Sequence, residues 1–152
     1  MSHVEGLSQI TSNLNKAMGR EIAKMNARLN LAGDVLHAAV QHQASLTDHT
    51  LLDLAKTKPP HPYSTKYDDN TGPHKDDTLV HIQTGRLYRN IKKVSDMGAM
   101  RSSVAVGVRR DDVPYIDELV YGSPLVRPRP FMQRAFTMMK PLVEDIIKGG
   151  TR

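Results

Sequence analysis

The chain has no cysteine and no tryptophan, and only two phenylalanines among its 152 residues. Without cysteine there is no disulfide and no thiolate metal site, although this alone does not identify the compartment. Aromatic residues make up 5% and hydrophobic residues 39%. That is enough for one core but lean for a single domain of this length, so part of the apolar surface is expected to be covered by a partner. No apolar run approaches the ~20 residues that a bilayer span needs. The first residues, Met1-Ser2-His3-Val4-Glu5, lack the basic-then-apolar layout of a signal peptide. These absences predict a soluble chain, made in the cytoplasm and used there or in an assembly built there, with no membrane partner. The G-x-S-x-G elbow, the phosphate loop, the dinucleotide fingerprint and the H-E-x-x-H pair are also missing.

What is abundant is positive charge. The formal charge is +5 and the isoelectric point is near 9.6. Arg86, Arg89, Lys92, Lys93, Arg101, Arg109 and Arg110 face a single acid, Asp96, over residues 86–110. Arg127, Arg129, Arg134, Lys140, Lys148 and Arg152 follow towards the end. Between the two groups lies an acidic island of Asp111, Asp112, Asp117 and Glu118. Such asymmetry suits contact with a polyanion, and it suits self-association of acidic against basic faces equally well. A merely solvated surface is the plainer explanation of a basic cluster without a motif.

Apolar residues recur at helical spacing from Leu7 to about Ser45: Leu7, Ile10, Leu14, Met18, Ile22, Met25, Leu29 and Leu36. Ser8 or Thr11 is a candidate cap, and Gly33-Asp34 is the natural place for a bend or break. Unbroken, this helix 7–45 is a rod of roughly 55–60 Å, longer than a domain of this size covers, so one end is expected to pack on another molecule. Thr47-Asp48 predicts a second short helix that Pro59-Pro60 ends. Residues 57–78 read as a polar loop, Leu79 to Ile82 as a brief strand, and Thr84-Gly85 as a turn. Leu87, Ile91 and Val94 fit a helical turn, a strand, or one passing into the other, with a bend at Asp96-Met97-Gly98. Ser102 to Val108 is the clearest strand. Pro114 opens a short helix with Gly122 at its end. Pro130 or Phe131 begins a last helix, which Pro141 should kink and Gly149-Gly150 should end. The sum is one α+β domain over residues 1–152: a long N-terminal helix and a C-terminal helix packed on a small, mainly antiparallel sheet.

Few residues suggest catalysis. His61, His74 and His81 share a stretch with Asp68, Asp69, Asp76 and Asp77, but without a recognised ligand spacing, and a solvated polar loop explains them. Asp111-Asp112 are adjacent, a poor arrangement for converging on one substrate. The sequence therefore predicts no enzyme, no cofactor and no metal. The basic residues over 86–110 suit phosphate contacts, whereas Tyr88, Tyr115, Tyr121 and Phe131 are not interleaved with them as a base-stacking platform requires.

The order and spacing of several short motifs carry a resemblance. Thr84-Gly85-x-Leu87-x-x-x-Ile91 comes first, then Val104-Ala105-Val106-Gly107-Val108. Tyr115-x-x-x-Leu119-Val120-Tyr121-Gly122 and Arg129-Pro130-Phe131 follow. Over residues 84–136 the chain resembles the tailed-phage head–tail joining family, whose members are described as tail completion, neck or minor tail (protein Z-like) proteins. It departs in having Val120 where an acidic residue is common, and in the long His/Asp stretch before Thr84. The resemblance implies a structural virion protein that forms a homo-oligomeric ring, commonly of six. The ring would sit between the head connector or stopper and the tail terminator or tail tube, with genomic DNA in its lumen. It implies residence in the virion neck, with host cytoplasm as the site of assembly. By that analogy Tyr115, Tyr121, Arg127, Arg129 and Phe131 are interface candidates, with the alternative that Arg127 to Phe131 is a rigid start to the last helix and Phe131 a core residue. Arg86, Arg89, Lys92, Lys93, Arg101, Arg109 and Arg110 would face the lumen or an adjacent ring. A small non-specific DNA-binding protein is the alternative function.

Overall fold

A computed structural model describes residues 2–46, 85–123 and 128–150. The expected second helix after Thr47, the polar loop 57–78, the strand from Leu79 and Arg127 lie outside the described residues. Within them the fold is α+β, with a long N-terminal helix, a C-terminal helix and a two-stranded antiparallel sheet. Helix α1 spans Ser2–Ser45, 44 residues, or about 66 Å at the α-helical rise. A single turn, α2 (Arg86–Arg89), leads into strand β1 (Ile91–Met97), which pairs with β2 (Ser102–Val108). Helix α3 (Ile116–Tyr121) and helix α4 (Phe131–Lys148) complete the order.

Two sequence expectations about α1 change. The helix begins before Ser8 and Thr11, so neither caps it; Thr11 Oγ1 instead donates back to the Leu7 carbonyl at 2.9 Å. Nor does α1 break at Gly33. The glycine serves close approach: a Cβ built there would overlap Val104 Cγ1 of β2. Its helix-propensity cost of ~1 kcal/mol is set against a contact that no larger residue allows.

The β1–β2 register pairs Ile91 with Val108, Lys93 with Val106 and Ser95 with Val104. Because side chains alternate across a strand, these pairs share one face, and that face lies on α1. A two-stranded sheet is marginal by itself and needs such a support. The support is partly polar. Asn26, Asn30 and Asp34 form one i, i+4, i+8 ridge. Ser102 Oγ donates to Asn26 Oδ1 at 2.6 Å and Ser95 Oγ to Asn30 Oδ1 at 3.2 Å. Lys93 Nζ donates to Asn30 Oδ1 at 2.9 Å and pairs with Asp34. Further along, His37 Nε2 lies 2.9 Å from the Ile91 carbonyl. A carbonyl only accepts, so this nitrogen carries the proton.

Helix α4 runs back along α1, with Met138 beside Gln43 and Gly149 beside Arg28. It continues through Pro141 to Lys148 and ends at Gly149, whose φ of 78° is the left-handed C-terminal conformation that glycine adopts without steric cost. The core gathers at the C-terminal end of α1, where Val40 and Ala44 meet Leu87, Ile91, Val113, Ile116, Leu119, Phe131 and Ala135. From Leu7 to Glu21 every residue of α1 is exposed. The hairpin bonds to α1 at Asn26 and the end of α4 lies against Arg28, and Ile22 is the first partly buried side chain described along α1. Among the described residues, 7–25 are therefore left largely uncovered, as an arm of about 28 Å.

Candidate assembly surface

The residues singled out in the sequence separate into buried and exposed sets. Pro128 and Pro130 have no backbone N–H to give. The one donor between them, Arg129 N, is met by the Leu119 carbonyl at 2.7 Å. This bond ties the approach to α4 onto the end of α3. Arg129 is wholly enclosed and Phe131 is 1% exposed. Both belong to the interior, so the Arg-Pro-Phe motif here joins α3 to α4 and offers little to a neighbour. Tyr115 is half-buried at the start of α3, packed against the core. Burial raises its phenol above the ordinary tyrosine value, with the nearby Arg86 charge opposing. Tyr121, at the other end of α3, is 79% exposed.

The basic set lies on the surface but not as an open field of positive charge. Lys92 Nζ reaches Asp112 Oδ2 at 2.9 Å, while Arg86 Nε donates to the Asp112 carbonyl at 2.8 Å. The hydrogen bond from Lys92 is the main cause that holds the Asp112 carboxyl below its ordinary value. The charges of Lys92, Arg109 and Arg86 add to it against the opposing effect of burial. Arg109 pairs with Asp111 at 3.5 Å, Arg110 pairs with Asp117, and Lys93 is taken up by Asp34. The acidic island is thus folded onto the basic segment, and much of the local charge is balanced within the chain. Arg89 and Arg101 are exposed at α2 and the hairpin turn. Most of these pairs are solvent-exposed, so they are weak and salt-screened, and their cations remain able to exchange partners.

The feature that sequence spacing revealed only as a period, without saying which part would stay bare, is the apolar stripe of the arm. Leu7, Ile10, Leu14, Met18 and Met25 are 64%, 65%, 58%, 55% and 58% exposed. At 3.6 residues per turn they fall within an arc of roughly 80° on one face. The same face, continued past Leu29, is the one that Leu36 and Val40 turn to the core. Helix α4 adds exposed Phe136, Met138, Leu142 and Ile147. A shallow apolar groove between α1 and α4 is lined by Val35, Ala39, Ala135, Met138 and Met139.

Among the described residues no group of three or more His, Asp or Glu side chains could hold a metal ion. No helix there is long and apolar enough to cross a membrane. What the described surface presents is an apolar helical arm, a charged hairpin and an exposed tyrosine. The class defined by these features is an α+β body with a projecting helical arm. No protein-family model, no curated protein and no solved structure matches the chain.

Proposed function

We propose that the chain is a structural virion protein of a tailed phage, a tail completion or neck protein that joins the head connector to the tail. It acts by assembly and catalyses nothing. The observation that carries this reading is the arm of α1, where Leu7, Ile10, Leu14, Met18 and Met25 are each more than half exposed. Exposed apolar surface in a continuous strip marks a surface that another molecule covers. The motif order over residues 84–136 supports the particular assembly, a ring of like subunits around the DNA channel between the connector or stopper and the tail terminator or tube. Tyr121 and the outward faces of the hairpin are then available to neighbours, while Phe131 and Arg129 hold the body together.

The test is the position of the chain in an intact particle, by cryo-electron microscopy or by antibody labelling. Density for it at the head–tail junction is expected; its absence from purified particles overturns the assignment. The second reading, non-specific DNA binding, draws on the exposed cations at α2 and the hairpin. It requires binding to free duplex DNA that falls steeply with salt, with a slope set by the number of phosphates neutralised. The internal pairing of Lys92, Arg109 and Arg110 argues for weak binding.

A further inference from the structure

The arm's stripe has an internal symmetry. Counting outward from Lys16, apolar residues stand two, six and nine positions away on either side: Leu14 and Met18, Ile10 and Ile22, Leu7 and Met25. Any two helices laid antiparallel with Lys16 at the centre bring residue i of one beside residue 32−i of the other. Each rung then joins two apolar side chains, Leu7 to Met25, Ile10 to Ile22 and Leu14 to Met18. A two-fold contact demands this kind of self-complementarity, because the same patch serves on both subunits.

We propose that the arms of two copies of this chain pair antiparallel in this register, burying the stripe from Leu7 to Met25 in a two-fold homodimer.

Charge and space agree with a second copy as the occupant. Lys16, the centre of symmetry, lies about 180° around the helix from Leu7, so the two copies of Lys16 point away from each other. Arg20 sits on the same outer side. Glu21 falls within the apolar arc, opposite Thr11 in this register; it is held by Lys24 at 2.7 Å, and Thr11 turns its hydroxyl onto its own helix. No like charges meet across the pair. The register also ends close to the body: Ile22 is already partly buried, Met25 is the last rung, and the hairpin bonds to α1 at Asn26. The strip is narrow, so the pair belongs with the small, reversible interfaces, below about 1,200 Å² in total. The proposal draws on the same exposed arm as the neck assignment, but the two tests are separate. A chain absent from the particle still pairs, and failure of pairing leaves the particle experiment unaffected. It differs also from a ring contact, which is head-to-tail.

The experiment uses the full chain in light scattering and sedimentation across the micromolar to submillimolar range. It is combined with cysteine cross-linking, which the cysteine-free sequence makes free of background. A monomer–dimer equilibrium is expected. The double variant Leu14→Asp/Met18→Asp should remain monomeric throughout while its body melts as before, since both residues are exposed. Mixing a Leu7→Cys chain with a Met25→Cys chain should give the mixed disulfide, whereas Leu7→Cys alone should give little, its two sulfurs lying about 27 Å apart. Several results would overturn the pairing. They are a monomer at every concentration, a dimer indifferent to the Leu14/Met18 change, and efficient disulfide formation by Leu7→Cys alone, which means a parallel pair. A dimer broken by Phe136→Asp on α4 would place the arm on the partner's body instead. A monomer that co-sediments with anionic vesicles through the stripe would make a lipid surface the occupant.

Discussion

At the scale of single residues, Gly33, Phe131 and Asp112 each convert a contact into a measurable outcome. Gly33→Ala gains about 1 kcal/mol of helix propensity but places its methyl group against Val104, a β-branched side chain with little freedom to move. Overpacking of this kind costs typically 1–3 kcal/mol, so urea unfolding should show a net loss of stability. Phe131→Ala, at a site 1% exposed, should cost about 3–5 kcal/mol, which thermal unfolding would reveal as a large drop in midpoint. If Phe131 served a neighbour instead, the isolated chain would barely notice its loss.

Two titrations follow from the hairpin region. Asp112 has a folded-state pKa below its unfolded value. Its contribution to stability is therefore present above the unfolded value and lost as pH falls through the folded one. Carboxyl-detected NMR should show Asp112 titrating below the ordinary aspartate range, and Lys92→Ala should return it upward. Tyr115 is shifted the other way, its pKa raised by burial. Its contribution is complete below about pH 10, the ordinary tyrosine value, and is lost as pH rises through the raised folded value. Tyrosinate absorbance of the wild type and of Tyr115→Phe isolates this late step.

At the scale of elements, α1 is one helix with two environments. From Ala32 to Ala44 its inner face is closed by the core, and its amides should exchange only with global unfolding. From Leu7 to Glu21 no described residue covers it, and a helix in water without tertiary support is marginal at such a length. In the Leu14→Asp/Met18→Asp variant, hydrogen exchange should therefore be fast over residues 7–25 and slow over 32–44. Equal protection along the whole of α1 in that variant would mean that the arm is stable by itself.

At the scale of the whole molecule, part of the positive charge that dominates the composition is paired within the chain. The +5 formal charge suggests a polyanion partner, yet the acidic island reaches back to Lys92, Arg109 and Arg110. Binding to free DNA should accordingly be weak at physiological salt and strengthen on dilution of the salt. Asp112→Asn, which frees the charge of Lys92, should tighten it modestly in a fluorescence-anisotropy titration.

The local elements were legible in the sequence because their signals are local. The alternation from Ser102 to Val108, the glycines after α3 and α4, and the helical period from Leu7 onward act through the backbone of the segment that bears them. The Pro-flanked start of α4 was equally plain, since proline restricts the residues on either side wherever it falls. Partners distant in sequence were not legible. Nothing in the neighbourhood of Gly33 announces Val104, and a glycine that weakens a helix reads the same whether it breaks the helix or admits a strand. Asp111, Asp112 and Asp117 could as well have faced a neighbour as their own arginines. The period of α1 determined that this segment is an amphipathic helix with one apolar face. Only the tertiary structure decided which part of that face is covered, because the hairpin and α4 lie against α1 at Asn26 and Arg28 and beyond. Leu7, Ile10, Leu14, Met18 and Met25 are what the described residues leave exposed to another molecule.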